Sequence, residues 1–214
     1  MAAANQTTQK GGKIAVPIEH WANLRRGNLH QVCKNAGADL CGPGDIAIRF
    51  LTYKMLVCVE SGFIFRLDRN CSRKLNNPLL ELVTLVYLLN AGVDPIRNEM
   101  IGVNQLRDAH FFQGPHALNL SRLLSRYGDN PSDFHAAAAH LGGSPMALAD
   151  AAFRLLPYPK TPLYYLLWEG DDEFGPHISV LFDRTIERHL SADAIWGLVN
   201  LVSEALFRYP VDII

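Results

Sequence analysis

The chain has 214 residues, 49% of them hydrophobic and only 19% charged, with a formal net charge of −1. That is enough apolar material for one sizeable core, and it leaves no basic footprint for nucleic acid or for an anionic membrane surface. The longest apolar stretch, Leu82 to Leu89, contains Thr84 and falls far short of the ~20 residues a membrane span needs.

The opening "MAAANQTTQKGGK" is polar and lacks the apolar region of a secretory signal. Residues 1–13 therefore read as a disordered tail, and residues 14–214 as a single α+β domain. Residues 17–37 carry Ile18, Trp21, Leu24 and Leu29 at helical spacing, with Gly27 placed to divide them. "CGPGD" (41–45) is a turn. "DIAIRFL", "YKMLVCVE" and "GFIFRLD" follow with strand periodicity and a hairpin signal at Ser61-Gly62, which predicts a three-stranded antiparallel meander.

Asn77-Pro78 opens a helix, with Asn as cap and Pro at the first helical position. The helix is apolar nearly all round, with Glu81, Thr84 and Tyr87 as a narrow polar stripe, so it belongs inside the domain. Gly92 and Asp94-Pro95 end it. Residues 98–118 are irregular. Leu120 to Tyr127 predicts a helix, and Asn130-Pro131 opens another that closes at Gly142. "ALADAAFRLLPY" (147–158) fits either helix or strand. "PLYYLLW" and "HISVLFD" read as strands buried on both faces. A long amphipathic helix follows, with Ser191 as its cap and Leu198, Val202 and Leu206 on its apolar face. The expected architecture is an antiparallel or mixed sheet, a buried central helix, and the C-terminal helix packed on the sheet, its Leu198 and Val202 buried against the sheet that includes Leu166 and Val180.

Cys33, Cys41, Cys58 and Cys71 form no C-x-x-C pair, so zinc-ribbon and common iron–sulfur spacings are missing. Reduced thiols in a cytoplasm are the expectation. The sequence also lacks the P-loop, dinucleotide, nucleophile-elbow and zincin signatures. Among the eight histidines, His135 and His140 are five apart on one predicted helix, about 140° around its axis, and read as surface residues. His110 and His116 differ, because Gly114-Pro115 bends the loop between them and lets the two rings converge.

The stretch "LLWEGDDEFGPHISVLFD" (166–183) sets four carboxylates between two apolar runs. In extended chain Glu169, Asp171 and Glu173 share one side and Asp172 takes the other. Three carboxylates on one side could hold a hard cation; equally, they mark a wet hairpin end. Trp168, His177 and Asp183 complete the set of candidates for ligand or metal binding. Gly114-Pro115 is expected to turn His116 toward this loop.

The segments "FFQGPHAL", "LGGSPMALADAAF", "PKTPLYYLLWEGDDEF" and "SVLFD…HLSADAIWGL", in that order, resemble the bacterial and archaeal family of domain of unknown function 3786, from about Trp21 to Phe207. In that family Pro commonly follows Glu-Phe directly, whereas here Gly175 stands before Pro176. The resemblance implies an anaerobic setting and a neighbourhood of iron–sulfur domains like those of corrinoid proteins. The leading expectation is a cytoplasmic binding or accessory protein associated with a cofactor or metal, in corrinoid or iron–sulfur one-carbon metabolism. Its partner would be an iron–sulfur or corrinoid protein, with neither nucleic acid nor membrane. The alternatives are a hydrolase or lyase using His116 with Glu169 or Asp171, and a structural subunit of a larger complex.

Overall fold

The computed structural model describes residues 15–68 and 71–211; the expected N-terminal tail lies outside them. Gly27 divides the first helical region as expected, into α1 (Ile18–Arg26) and α2 (Leu29–Ala36). The meander is present as β2 (Asp45–Phe50), β3 (Tyr53–Cys58) and β4 (Phe63–Leu67), and β1 (Asp39–Cys41) and β5 (Ser72–Lys74) extend it to five strands. Those two edge strands have three residues each, too few for an alternation to register in sequence.

Helix α3 (Pro78–Asn90) opens as predicted, with the Asn77 side chain accepting from the Leu80 N–H. Its polar stripe does not face water. Glu81 accepts from the Trp21 indole at 2.9 Å, and the Tyr87 hydroxyl donates to the Ala36 carbonyl at 2.8 Å. The Thr84 hydroxyl bonds the Leu80 carbonyl at 2.6 Å and lies 2.8 Å from the Tyr158 hydroxyl. Each polar group on the stripe thus finds a partner on a packed neighbour, which is what permits its burial.

The second half of the chain holds β6 (Met100–Ile101), α4 (Ser121–Tyr127), α5 (Pro131–His140), β7 (Ser144–Met146), β8 (Ala151–Leu155), β9 (Leu163–Trp168), β10 (His177–Asp183) and α6 (Ala192–Arg208). The ambiguous segment around Ala151 is a strand. The second sheet runs β6-β10-β9-β8-β7, and every pairing in both sheets is antiparallel. The expected antiparallel or mixed sheet is thus present among the described residues as two antiparallel sheets. β9 is buried on both faces, but β10 alternates, with Ile178, Val180 and Phe182 buried and Ser179 and Leu181 only partly so.

Helix α6 lies against the inner face of the second sheet, where the Tyr165 hydroxyl bonds Ser203 at 2.9 Å. Leu198 and Val202 are fully buried in the main core with Val180. They pack on the sheet that holds Leu166 and Val180, as expected, while Leu166 itself belongs to a separate cluster with Ala152 and Tyr164. Alternation along β9 puts it on the opposite face. Ser191 stands at the helix start, yet its side chain makes no capping bond. Helices α3 and α6 meet at Gly197, where an added Cβ would sit 2.9 Å from Val83 Cγ2.

Candidate functional site

The acidic loop is a hairpin end, with the Glu169 N–H donating to Asp150 Oδ2 at 2.9 Å. Asp171 Oδ1 accepts from the N–H groups of Glu173 (2.9 Å) and Phe174 (2.7 Å), and the Asp171 N–H donates to the Phe174 carbonyl (2.8 Å). Those two N–H bonds hold the Asp171 carboxyl below its ordinary range. Glu169, Asp171, Asp172 and Glu173 are all exposed. Trp168 and His177 face each other in register across β9 and β10, and their rings stack at 5.6 Å. Among the described residues no three His, Cys, Asp or Glu side chains are grouped to hold a metal ion.

The histidine loop sits elsewhere. The Glu187 carboxylate accepts from the N–H groups of Arg107 and Asp108 and so ties this loop to the turn after β10. His116 stacks on Phe111 at 4.4 Å and meets the edge of Trp196 at 5.8 Å. His110 is exposed in a short 3₁₀ turn. The acidic loop joins the start of the seven-residue β10 and the histidine loop is anchored beyond its end. Among the described residues no hydrogen bond, ion pair or ring contact joins His110 or His116 to Glu169, Asp171, Asp172 or Glu173.

Asp183 is also distant from the acidic loop, at the far end of β10, and it is fully buried. Its oxygens accept from the N–H groups of Arg97, Asn98 and Thr185 and from the Thr185 hydroxyl. Burial works to raise its pKa, but the Thr185 bonds, with those of Arg97 and Asn98, hold it below the usual carboxylate range. Asp183 is a backbone clamp: it fastens residues 97–98 to the sheet.

A different region converges. The turn between β2 and β3 is tight, with Leu51 at φ 54°. That left-handed conformation is held because Leu51 is buried and its N–H donates to the Pro157 carbonyl at 2.9 Å. Helix α5 ends in a Schellman arrangement, the N–H groups of Gly142 and Gly143 bonding the carbonyls of Ala139 and Ala138. Gly142, at φ +79°, leaves only 3.0 Å between a would-be Cβ and Thr52 Cγ2. The two turns are thereby pressed together, and His140 comes to the rim of the first sheet.

Between them opens a cleft of about 730 Å³ lined by Thr52, Tyr53, Lys54, Arg66, Leu67, Asp68 and His140. Its one carboxylate, Asp68, is held by Arg66 Nε at 2.8 Å, and that guanidinium lies over the Tyr53 ring. Lys54 pairs across the strands with Arg49, and both are exposed. Neither makes an ion pair among the described residues, and like charges directly opposite in a sheet cost stability. Sequence reading missed this site because its members are scattered between Thr52 and His140 and carry no motif.

A second cleft, about 400 Å³, also has arginines but these are committed. Arg122 bridges Glu204 at 2.7 Å and lies over the Phe207 ring. Arg126 donates to the carbonyls of Phe207 and Tyr209. They fasten α4 to the end of α6.

A family model described as a domain of unknown function (DUF3786) matches residues 28–205. No curated protein and no solved structure matches the chain.

Proposed function

The chain belongs to the DUF3786 family, and we propose that it is a binding or accessory protein whose ligand carries an anionic group, received in the cleft at Lys54. The observation that carries this reading is Lys54, which lines that cleft with Arg66 and His140, stands opposite Arg49 in the sheet and makes no ion pair among the described residues. An anion bound at Lys54 would relieve a repulsion that no ion pair among the described residues relieves. A cofactor remains the natural class of ligand. A corrinoid suits the site because its nucleotide loop carries a phosphodiester, and the accessory role in corrinoid or iron–sulfur metabolism is the setting in which such a ligand would be met. Any metal would arrive inside the cofactor and would be held through the cofactor's anionic periphery.

Titration calorimetry with inorganic pyrophosphate and with a corrinoid tests this. Saturable binding of at least one is expected, weakening as salt rises and falling about tenfold in Lys54→Ala, the size of one charge-assisted hydrogen bond. Absence of binding, or equal binding by wild type and variant, removes the reading.

A further inference from the structure

The outer face of the first sheet combines apolar side chains with divided charge. Along β2, Ile46, Ile48 and Phe50 are buried, and Asp45, Ala47 and Arg49 alternate with them toward solvent. Direct register partners share a face. Leu56 and Phe65 therefore continue the row of Ala47, and Cys58 and Phe63 continue the row of Asp45. The inner face joins the main core, whereas Ala47, Leu56, Phe63, Phe65 and Leu67 belong to neither buried cluster, and Phe63 is 42% exposed. They lie side by side across neighbouring strands, and such contiguity is what distinguishes an interaction face from scattered apolar residues. Asp45 stands on one side of the Ala47 row, and Arg49 with its register partner Lys54 on the other. Neither Asp45 nor Arg49 makes an ion pair among the described residues.

We propose that this face docks onto the same face of a second copy of the chain, forming a two-fold homodimer. A two-fold axis lying between the two sheets, along the Ala47–Leu56–Phe65 row, turns each strand end for end. Leu56 and Phe65 then meet their own counterparts, Phe63 meets Leu67, and Asp45 of each copy comes over Arg49 of the other. The match follows from register, because Asp45 and Arg49 are equally spaced about Ala47 on β2, and Phe63 and Leu67 about Phe65 on β4. A polyanion suits only the basic side of this face and is repelled by Asp45. A second copy answers both signs and the apolar row at once. Asp39 and Lys74 stand on the two edge strands and stay at the wet rim. Five strands ~4.8 Å apart and about 20 Å long give each copy a footprint on the order of 400 Å² before side-chain relief. That is small for a specific interface, so the dimer is concentration-dependent. Asp45 of the second copy neutralises the Arg49 half of the like-charged pair and leaves Lys54 to the cleft.

Sedimentation equilibrium of the full chain over a concentration series tests this. A monomer–dimer equilibrium is expected. Asp45→Arg and Arg49→Asp should each weaken it about tenfold or more, because each change turns two symmetric attractions into repulsions. The double variant carrying both changes should restore the dimer, and that restoration shows that neither single change acts by unfolding the chain. Leu56→Glu sets a carboxylate against its own copy and should abolish the dimer. The position is not part of the core, so the variant should still unfold cooperatively near the wild-type temperature. A monomer at every concentration would overturn the proposal. So would a dimer that Leu56→Glu leaves intact, or a double variant as weak as the single ones. A chain that stays monomeric and binds oligothymidylate would give this face to a single-stranded nucleic acid instead.

Discussion

Lowering the pH from 7 to 4 should destabilise this protein in a measurable part through one residue, His189. The ring is fully buried, and its Nδ1 accepts from the Gly92 N–H at 3.2 Å. Neutral imidazole therefore carries its hydrogen on Nε2, which has no partner. Burial first, and then the Lys160 ammonium, push its pKa down from 6.5 to about 4, with Asp94 and Asp183 pulling the other way. The folded pKa lies below the unfolded one, so the unfolded chain takes up the proton first. The stabilisation is complete above pH 6.5, is lost as pH falls from 6.5 to about 4, and changes no further below that. At about 1.4 kcal/mol per pH unit, the loss is at most about 3.5 kcal/mol. Urea unfolding at half-unit steps measures it in wild type and in His189→Asn, whose side-chain oxygen keeps an acceptor for Gly92. Carboxylates such as Asp183 contribute equally to both proteins and cancel in the difference. An identical pH slope for the two proteins between 6.5 and 4.5 would refute the reasoning.

Gly197→Ala should cost about 1–3 kcal/mol, because the new Cβ would stand 2.9 Å from Val83 Cγ2 and 3.1 Å from Leu79 Cδ1; thermal unfolding reads this, and unchanged stability would mean α3 and α6 can separate freely. Asp183→Ala should cost more than about 2 kcal/mol, since it strands buried N–H donors, and should speed hydrogen exchange at Arg97 and Asn98. The triple change Glu169→Gln, Asp172→Asn, Glu173→Gln should alter stability by less than about 0.5 kcal/mol and leave pyrophosphate binding intact, as expected of exposed charges; lost binding would return the site to the acidic loop.

Much of the fold is legible in the sequence because its signals are local. Asn77-Pro78 and Asn130-Pro131 state their caps outright, and the alternation of Ile46, Ile48 and Phe50 states a strand. The division into two sheets is not legible. Nothing in the apolar pattern says which edge β6 joins, and Leu166 and Leu167 look alike although they face opposite sides. Chemistry-rich residues misled for a related reason. Asp183 and His116 stand out by type, but one is committed to backbone N–H groups and the other is stacked between Phe111 and Trp196. The converging residues, Lys54, Arg66 and His140, are individually unremarkable, and they meet only because the Leu51 turn and the Gly142 cap are pressed together.

The central claim is a location, so the most direct measurement is an amide shift map of the full chain on adding inorganic pyrophosphate. The shifts should cluster at Thr52, Tyr53, Lys54, Leu67, Asp68 and His140, saturate together, and collapse in Lys54→Ala. Shifts confined to residues 168–177, or no saturable shift anywhere, would contradict the account.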